Sequence, residues 1–491
     1  MKSVCIIGAG LCGGYLAKEL LINKNLKIKV IDIDSINDKF KSKILKNIYS
    51  NNHNNITFID KIIKGYGFGG NSNYWHGGLT EFDDFDLNKL DFFLDYNFST
   101  ELKKYYIETW KSLDIENVST NHLNYKSLYK IFKKSGYFNF KKILLQYSPL
   151  KTRSILHKLK NNKNLELIEN AICLNLNKDK EKKIKSITIF SEGLLKEIKS
   201  DYFVLASGSF ETPRILLQSI NHGNLKLNNK NIGCNLIDHP FLKIGEIKNI
   251  FKTKTKLNYY KNNISNNISL SLAFSFVEDL KNNKLNHSLV LRPHINNEVI
   301  EIKANLKKYF NDRNYKNLLK LLIVKLYRFD LFFKLIKLIL IKKINSGSKV
   351  DVFLHFDQLS SKENKVILTN NKDEYMRYIP KIIFGNNQNE KFTITTASNL
   401  IKSLLKNSNY EYKENKNLSN FFYHGNHFSG TARISSDNKT GVVDKNLKVH
   451  GLSNLYICDS SVIPLFGSSN PVFTLITLSK RLAKHLNNVI T

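Results

Sequence analysis

Acidic residues are few in this sequence: 42 Asp and Glu stand against 75 Lys and Arg, and the formal net charge is +33. Proline is scarcer still, with seven in 491 residues. Cysteine is limited to Cys5, Cys12, Cys173, Cys234 and Cys458. None forms a CxxC pair or a zinc spacing and the number is odd, which excludes a disulfide framework and a structural metal and suits a reducing compartment. No run of about 18 uncharged apolar residues occurs, so no transmembrane helix is expected.

An excess of base first suggests nucleic acid or an anionic membrane. The cations are almost all Lys, however, and they accompany abundant Asn and Ile. That mixture reads as nucleotide bias in an AT-rich genome, spread over solvated faces. No compact Arg-rich or RNP-type motif is present, so no nucleic-acid partner is expected.

The length calls for two or three domain-sized units. The hydrophobic fraction, 42 %, and the aromatic fraction, 11 %, support packed cores rather than disorder. Helix and strand patterns alternate near the N-terminus, as in an α/β fold. Met1 to Ala17 has the outline of a signal peptide, but its regular glycines fit a buried first strand and a turn better.

Val4 to Ile7 reads as that strand, followed by a helix to about Leu21 and a second strand from Lys27 to Ile33. Between the first strand and the helix, Gly8, Gly10 and Gly13 form GxGxxG. The first glycine permits a tight turn, the second lets backbone approach a pyrophosphate, and the third lets helix and strand pack closely. N–H groups at the helix start then bind the diphosphate. Asp32 lies 19 residues after Gly13 (32 − 13), where an acid accepts hydrogen bonds from ribose hydroxyls; Asp34 is its competitor.

Farther on, the spacing predicts a helical Lys/Tyr/Phe-rich region up to about Lys160. Strands are predicted at Leu165 to Leu176, Ile184 to Phe190, Asp201 to Ala206, Ile268 to Val277 and Lys349 to Phe356. Tyr315 to Lys343 is apolar but broken by Lys or Arg every few residues. It reads as a structural helix or a lid, with peripheral contact to a membrane as the competing reading.

Three motif blocks carry a family resemblance. The first is Gly67-Phe68-Gly69-Gly70-Asn71-Ser72-Asn73-Tyr74-Trp75. The second runs from Leu205-Ala206-Ser207-Gly208-Ser209-Phe210-Glu211-Thr212-Pro213-Arg214 to Asp238-His239-Pro240. The third comprises His427-Phe428-Ser429-Gly430-Thr431-Ala432-Arg433, Leu455 to Ser461, and Gly467-Ser468-Ser469-Asn470-Pro471 before a helical run from Val472 to Leu486. Together they resemble the glucose–methanol–choline oxidoreductases. The likeness covers about 80 residues at the start, about 40 in the middle and about 65 at the end.

The resemblance implies FAD and a Rossmann-like α/β domain. That domain is expected from residues 1–85, 160–245 and 440–491. Residues 86–159 and 246–439 are expected to form a substrate-binding α+β domain on an antiparallel sheet. It also implies that Gly69, Gly70, Asn71 and Ser72 run beside the diphosphate and isoalloxazine, that backbone groups at Ile172 hold the adenine, and that Asp459 bonds the ribityl chain. Asn470, Pro471 and Val472 would begin a helix aimed at the flavin, with Asn470 as its N-cap, Pro471 at its first position, and Pro213 near the first turn of an earlier helix. Tyr74 stands where some relatives carry a histidine bonded to FAD, so the cofactor is expected to be non-covalent; His76 is out of register.

The resemblance places the catalytic base at His427 rather than His424, with Asn470 opposite to orient the hydroxyl. His239 is expected to be structural. The implied activity is oxidation of an alcohol, possessing a CH–OH donor, to a carbonyl, with a small-molecule substrate and an electron acceptor as partners. A sugar or a lipid-linked alcohol at a membrane surface is one form of that reading. Cytoplasmic residence is expected. Two other readings stay open: an FAD enzyme of desaturase or ketosteroid type, and a basic membrane- or nucleic-acid-binding protein on a degenerate flavin fold. His427 with Asn470 argues against both.

Overall fold

The computed structural model describes residues 1–33, 66–75, 77–115, 126–146, 151–248, 260–261, 267–277, 286–294, 349–384, 390–416, 422–423, 425, 427–467 and 469–490. Tyr315 to Lys343, Asp34, His76 and His424 lie outside them.

The chain opens on β1 (Lys2–Ile7), turns through glycines into α1 (Leu11–Leu20) and returns in β2 (Leu26–Ile31). After β3 (Gly78–Leu79) come α2 (Asp84–Leu94), α3 (Phe98–Ser112), α4 (Lys126–Lys134), β4 (Phe138–Gln146) and α5 (Thr152–Leu159). Next are β5 (Leu165–Ile168), β6 (Ala171–Lys178), β7 (Ile184–Ser191), β8 (Leu194–Lys199), β9 (Tyr202–Leu205), α6 (Gly208–Asn221) and β10 (Phe241–Lys248). The following stretch holds β11 (Tyr260–Lys261), β12 (Asn267–Phe276), β13 (Ser288–Pro293), β14 (Val350–His355), β15 (Lys365–Lys372), β16 (Tyr378–Ile383), α7 (Glu390–Leu405), β17 (Glu411–Glu414) and β18 (Phe422–Tyr423). The chain closes on β19 (Leu455–Ile457) and α8 (Val472–Ile490).

Five strands form a parallel sheet in the order β19-β9-β1-β2-β5. Val4, Cys5 and Ile6 are wholly buried, as a strand covered on both faces requires. Helix α1 packs on α8 and α5, and α3 also packs on α8. That second contact stacks Trp110 on Phe473, ring centroids 3.9 Å apart, and Arg481 grips Glu101 through Nε and Nη2 at 2.9 and 3.1 Å.

The larger sheet is antiparallel, β17-β10-β14-β13-β12-β4-β3, with β11 and β18 joined to its flanks. Register fixes its two faces. One row aligns Phe274, Leu289 and Leu354, and the next aligns Leu272, Leu291 and Val352. These belong to the main core, where Phe132 of α4 stacks on Phe274 at 5.0 Å. The opposite face aligns Lys141, Ala273, Val290 and Phe353 in one row and Ser288 with His355 in another. Ile143, Ala273 and Val290 make a small separate cluster there.

The structure corrects several sequence expectations. The region up to Lys160 contains strand β4, because pairing with β12 along its whole length overrides a helical spacing. Leu165 to Leu176 is two strands, since Asn170 takes φ 56° between them. Helix α6 starts at Gly208, so Pro213 falls in its second turn. The carbonyl four residues back, on Ser209, loses its amide partner to the proline ring. The Thr431 hydroxyl supplies the missing donor at 2.8 Å. Helix α8 begins at Val472 and the Pro471 carbonyl accepts its first bond, from Leu475 N–H at 2.8 Å, one position earlier than an N-terminal Pro at the first helical position implies. Among the described residues no helix is long and apolar enough to cross a membrane.

A buried ion cluster fastens α6 to the β15–β16 hairpin. Arg214 donates to Glu211 at 3.1 Å, to Asp373 at 3.0 Å and to the Tyr378 carbonyl at 2.8 Å, and Arg377 bonds the same two acids. Burial raises the pKa of Glu211, but Arg214 and Arg377 outweigh it and hold the carboxyl below its usual value. A group shifted this way stabilises the fold above its unfolded pKa and loses that contribution as pH falls through the folded value. Arg214→Met would leave two buried carboxylates short of a partner, an effect of about 3–5 kcal/mol. Thermal unfolding is expected at a markedly lower temperature in this variant, and a melting curve unchanged at neutral pH would contradict the cluster's role.

Candidate active site

The GxGxxG glycines do different work. Gly8 has φ +109°, and a Cβ there would sit 2.4 Å from the Ala206 carbonyl oxygen on the neighbouring strand. A Cβ on Gly13 would lie 1.9 Å from the Gly8 carbonyl oxygen. Close packing within the chain dictates both. Gly10 is different: its φ is −63°, and its nearest neighbour would be the Ala206 oxygen at 3.9 Å. Among the described residues nothing forbids a side chain there, so the space it leaves is open to a ligand. Helix α1 starts at that point with no side-chain cap, and its first bond runs from Gly14 N–H to Gly10 C=O. The N–H groups ahead of Gly14 are left to an anion, at the positive end of the helix dipole.

Asp32 follows β2 and closes over this turn. Its Oδ2 accepts from the Ala9 amide at 2.6 Å. Its main chain accepts from Ala171 N–H at 3.0 Å, which brings Ile172, buried in β6, to the same corner of the fold. Gly69 and Gly70 adopt φ 92° and 52°. Asn71 is exposed, whereas Ser72 is buried, donating to the Gly69 carbonyl at 2.6 Å and meeting the Thr152 hydroxyl at 2.6 Å. Thr152 also reaches the Ala9 carbonyl at 3.3 Å, so one hydroxyl knits the two glycine segments together. No motif marks Thr152; only packing reveals it. Tyr74 is exposed beside this turn.

Asp459 is buried, and both its oxygens are engaged within the protein. Oδ2 accepts from Gly208 N–H at 2.9 Å and the Thr212 hydroxyl at 2.6 Å; Oδ1 accepts from Ser461 N–H at 2.8 Å and its hydroxyl at 2.5 Å. Burial raises its pKa despite these bonds. The carboxylate therefore caps the start of α6 and joins two motif blocks, leaving its backbone as the part free to meet a ribityl chain.

Asp238 performs the same service for His427. Its wholly buried carboxylate accepts from His427 N–H and Gly425 N–H, each at 3.0 Å, while Ile237 and Ser429 exchange backbone bonds alongside. The His427 ring lies 5.8 Å from His239, which lies 5.3 Å from His355 on β14. His239 is buried, and burial, then the positive charges of His427 and Lys141, push its pKa down to about 3. Burial and the same basic neighbours hold His355 well below the usual histidine range. Both rings stay neutral at physiological pH. Asn470 stands before α8 with its amide over Gly78 of β3, where a Cβ would come within 2.8 Å of it. Gly467, in the same loop, donates its N–H to buried Asp357 at 3.1 Å.

Two family models of the GMC oxidoreductases match this chain, the N-terminal one over residues 151–241 and the C-terminal one over residues 361–479. The chain belongs to the GMC oxidoreductase family. Solved structures agree on the fold of this GMC oxidoreductase. Pyridoxine 4-oxidase from Mesorbium loti superposes with a TM-score of 0.61 at 12 % identity, over 99 % of both chains. A formate oxidase superposes with a TM-score of 0.60 at 14 % identity, over 99 % of this chain and 98 % of that one. Among curated proteins, dehydrogenase str4 of Strobilurus tenacellus is 35 % identical over 63 residues, which span 13 % of this chain and only 10 % of that relative.

The open space above Gly10, the uncapped helix start and the adjacent Asp32 fit a dinucleotide diphosphate and ribose, as FAD would present them. Gly10→Ala is therefore expected to fold normally but to retain much less flavin. Gly13→Ala is expected to lower the melting temperature, because its methyl has no place to go. Equal flavin content and equal melting temperatures in the two variants would contradict this division of roles.

Proposed function

We propose that this GMC oxidoreductase oxidises an alcohol to its carbonyl, with His427 as general base and Asn470 orienting the substrate hydroxyl. When bound, FAD supplies the two-electron acceptor for the hydride. Gly10 and Asp32 hold its adenosine diphosphate end on the turn that Gly8 and Gly13 shape, the backbone of Ile172 borders the adenine, and Gly69, Gly70, Asn71 and Ser72 border the diphosphate. The Asp459 backbone serves the ribityl chain. The start of α8 at Pro471 and Val472 brings N–H groups and a positive dipole end to the ring, where they stabilise negative charge.

The supporting observation is the clamp of Asp238 on the His427 main chain. It fixes the imidazole beside His239 and against the sheet face that carries His355. Removal of the hydroxyl proton calls for a base with a pKa near the working pH, and histidine is the side chain suited to it. Neither neutral His239 nor neutral His355 competes, and an Asn470 amide donates a hydrogen bond without titrating. One base then follows for the reaction, so kcat/KM rises with pH through a single ionisation.

His427→Ala is expected to lower kcat by about 10²–10⁴-fold with flavin still bound. Full turnover in this variant would reject the assignment and favour the desaturase-type reading. The cofactor is held without a covalent bond, Tyr74 standing at the attachment position. Acid precipitation should therefore leave yellow flavin in the supernatant; flavin that stays with the pellet would contradict this.

A further inference from the structure

Arginine is rare in this lysine-rich chain, and three of the six described arginines bond acids. Arg214 and Arg377 share Glu211 and Asp373, and Arg481 holds Glu101. Arg292 on β13 differs from these three. Among the described residues no carboxylate meets it. Its cross-strand neighbour is Asp351, but that carboxylate is engaged by Lys243 at 2.7 Å and His294 at 2.9 Å. The Arg292 guanidinium instead lies over the rings of Phe353 at 5.0 Å and Phe241 at 5.7 Å, and reaches His355 Nε2 at 3.5 Å.

Arg292 is exposed, and the protein packed along its side chain lowers its pKa by desolvation. It stands on the sheet face of His355, and contacts lead from Arg292 to His355, to His239 and to His427. The groups that lower the His355 pKa beside burial are all basic side chains: His239, Arg292, His427 and Lys141. An accessible guanidinium with no carboxylate partner among the described residues is available to an anionic ligand. Two aromatic rings flank the guanidinium, whose N–H donors form a fork suited to an oxyanion.

We infer that the substrate alcohol carries an anionic oxygen head group, carboxylate or phosphate, that seats on Arg292 while its hydroxyl lies at His427. For the hydroxyl this rests on the alcohol-oxidation reading; the anion site does not. The flavin-loaded enzyme is titrated in a calorimeter with 4-toluate, 4-tolyl phosphate and the neutral 4-toluamide, so that no turnover is needed. At least one anion should bind about tenfold to a hundredfold more tightly than the amide. Arg292→Met should abolish that preference without weakening the amide, and Arg292→Lys should keep part of it. In turnover, 4-(hydroxymethyl)benzoate should outperform 4-methylbenzyl alcohol through KM, and Arg292→Met should erase the advantage. Equal binding of all three probes by the wild type, or a preference that survives in both variants, would overturn the inference. Alcohol turnover without any anion preference would sink the anion site alone. Anion binding that depends on Arg292, without alcohol turnover, would sink the activity alone.

Discussion

Buried carboxylates that accept main-chain N–H groups are the interaction on which the site depends. Asp459 ties β19 to the start of α6, Asp238 holds the His427 loop, and Asp357 holds Gly467 ahead of Asn470. Each acid joins segments far apart in sequence. An unpaired buried N–H or carboxylate is costly, so each junction favours one arrangement of its loops. Catalytic loops have little regular structure to fix them, and these junctions take the place of a ladder.

The same logic divides the molecule electrostatically. On the parallel-sheet side, open glycine backbone and an uncapped helix start form a place for diphosphate. On the antiparallel side, the sheet face toward His427 has His355, Arg292 and Lys141 among small apolar residues, while the other face is core. The strand register produces this contrast: residues two apart share a face, so one strand such as β13 sends Leu289 and Leu291 into the core and Val290 and Arg292 toward the site. Polar groups are confined to the face where a ligand can satisfy them.

Much of the first layer was legible because its chemistry is local. Gly8, Gly10 and Gly13 follow a strand, and Asp32 ends the next one, so the turn could be read from spacing alone. The site-facing sheet was not legible in this way. Strand β4 carries Lys141 and Lys142 in adjacent positions, and only pairing with β12 decides which one is buried. Thr152 and Asp357 act through partners distant in sequence, which no window along the chain contains. Pro213 was misplaced by a turn because its lost hydrogen bond is made good by Thr431, more than 200 positions later. The role of Asp459 changed likewise: its oxygens meet Gly208, Thr212 and Ser461 before any cofactor.

The central claim is that these converging segments hold a flavin that accepts electrons from an alcohol at His427. Its most direct test is the visible spectrum of the purified, well-folded protein, recorded anaerobically before and after addition of a panel of alcohols. The account predicts an oxidised-flavin spectrum that bleaches with at least one alcohol, and far more slowly in His427→Ala. A folded protein that neither carries nor takes up flavin would contradict it.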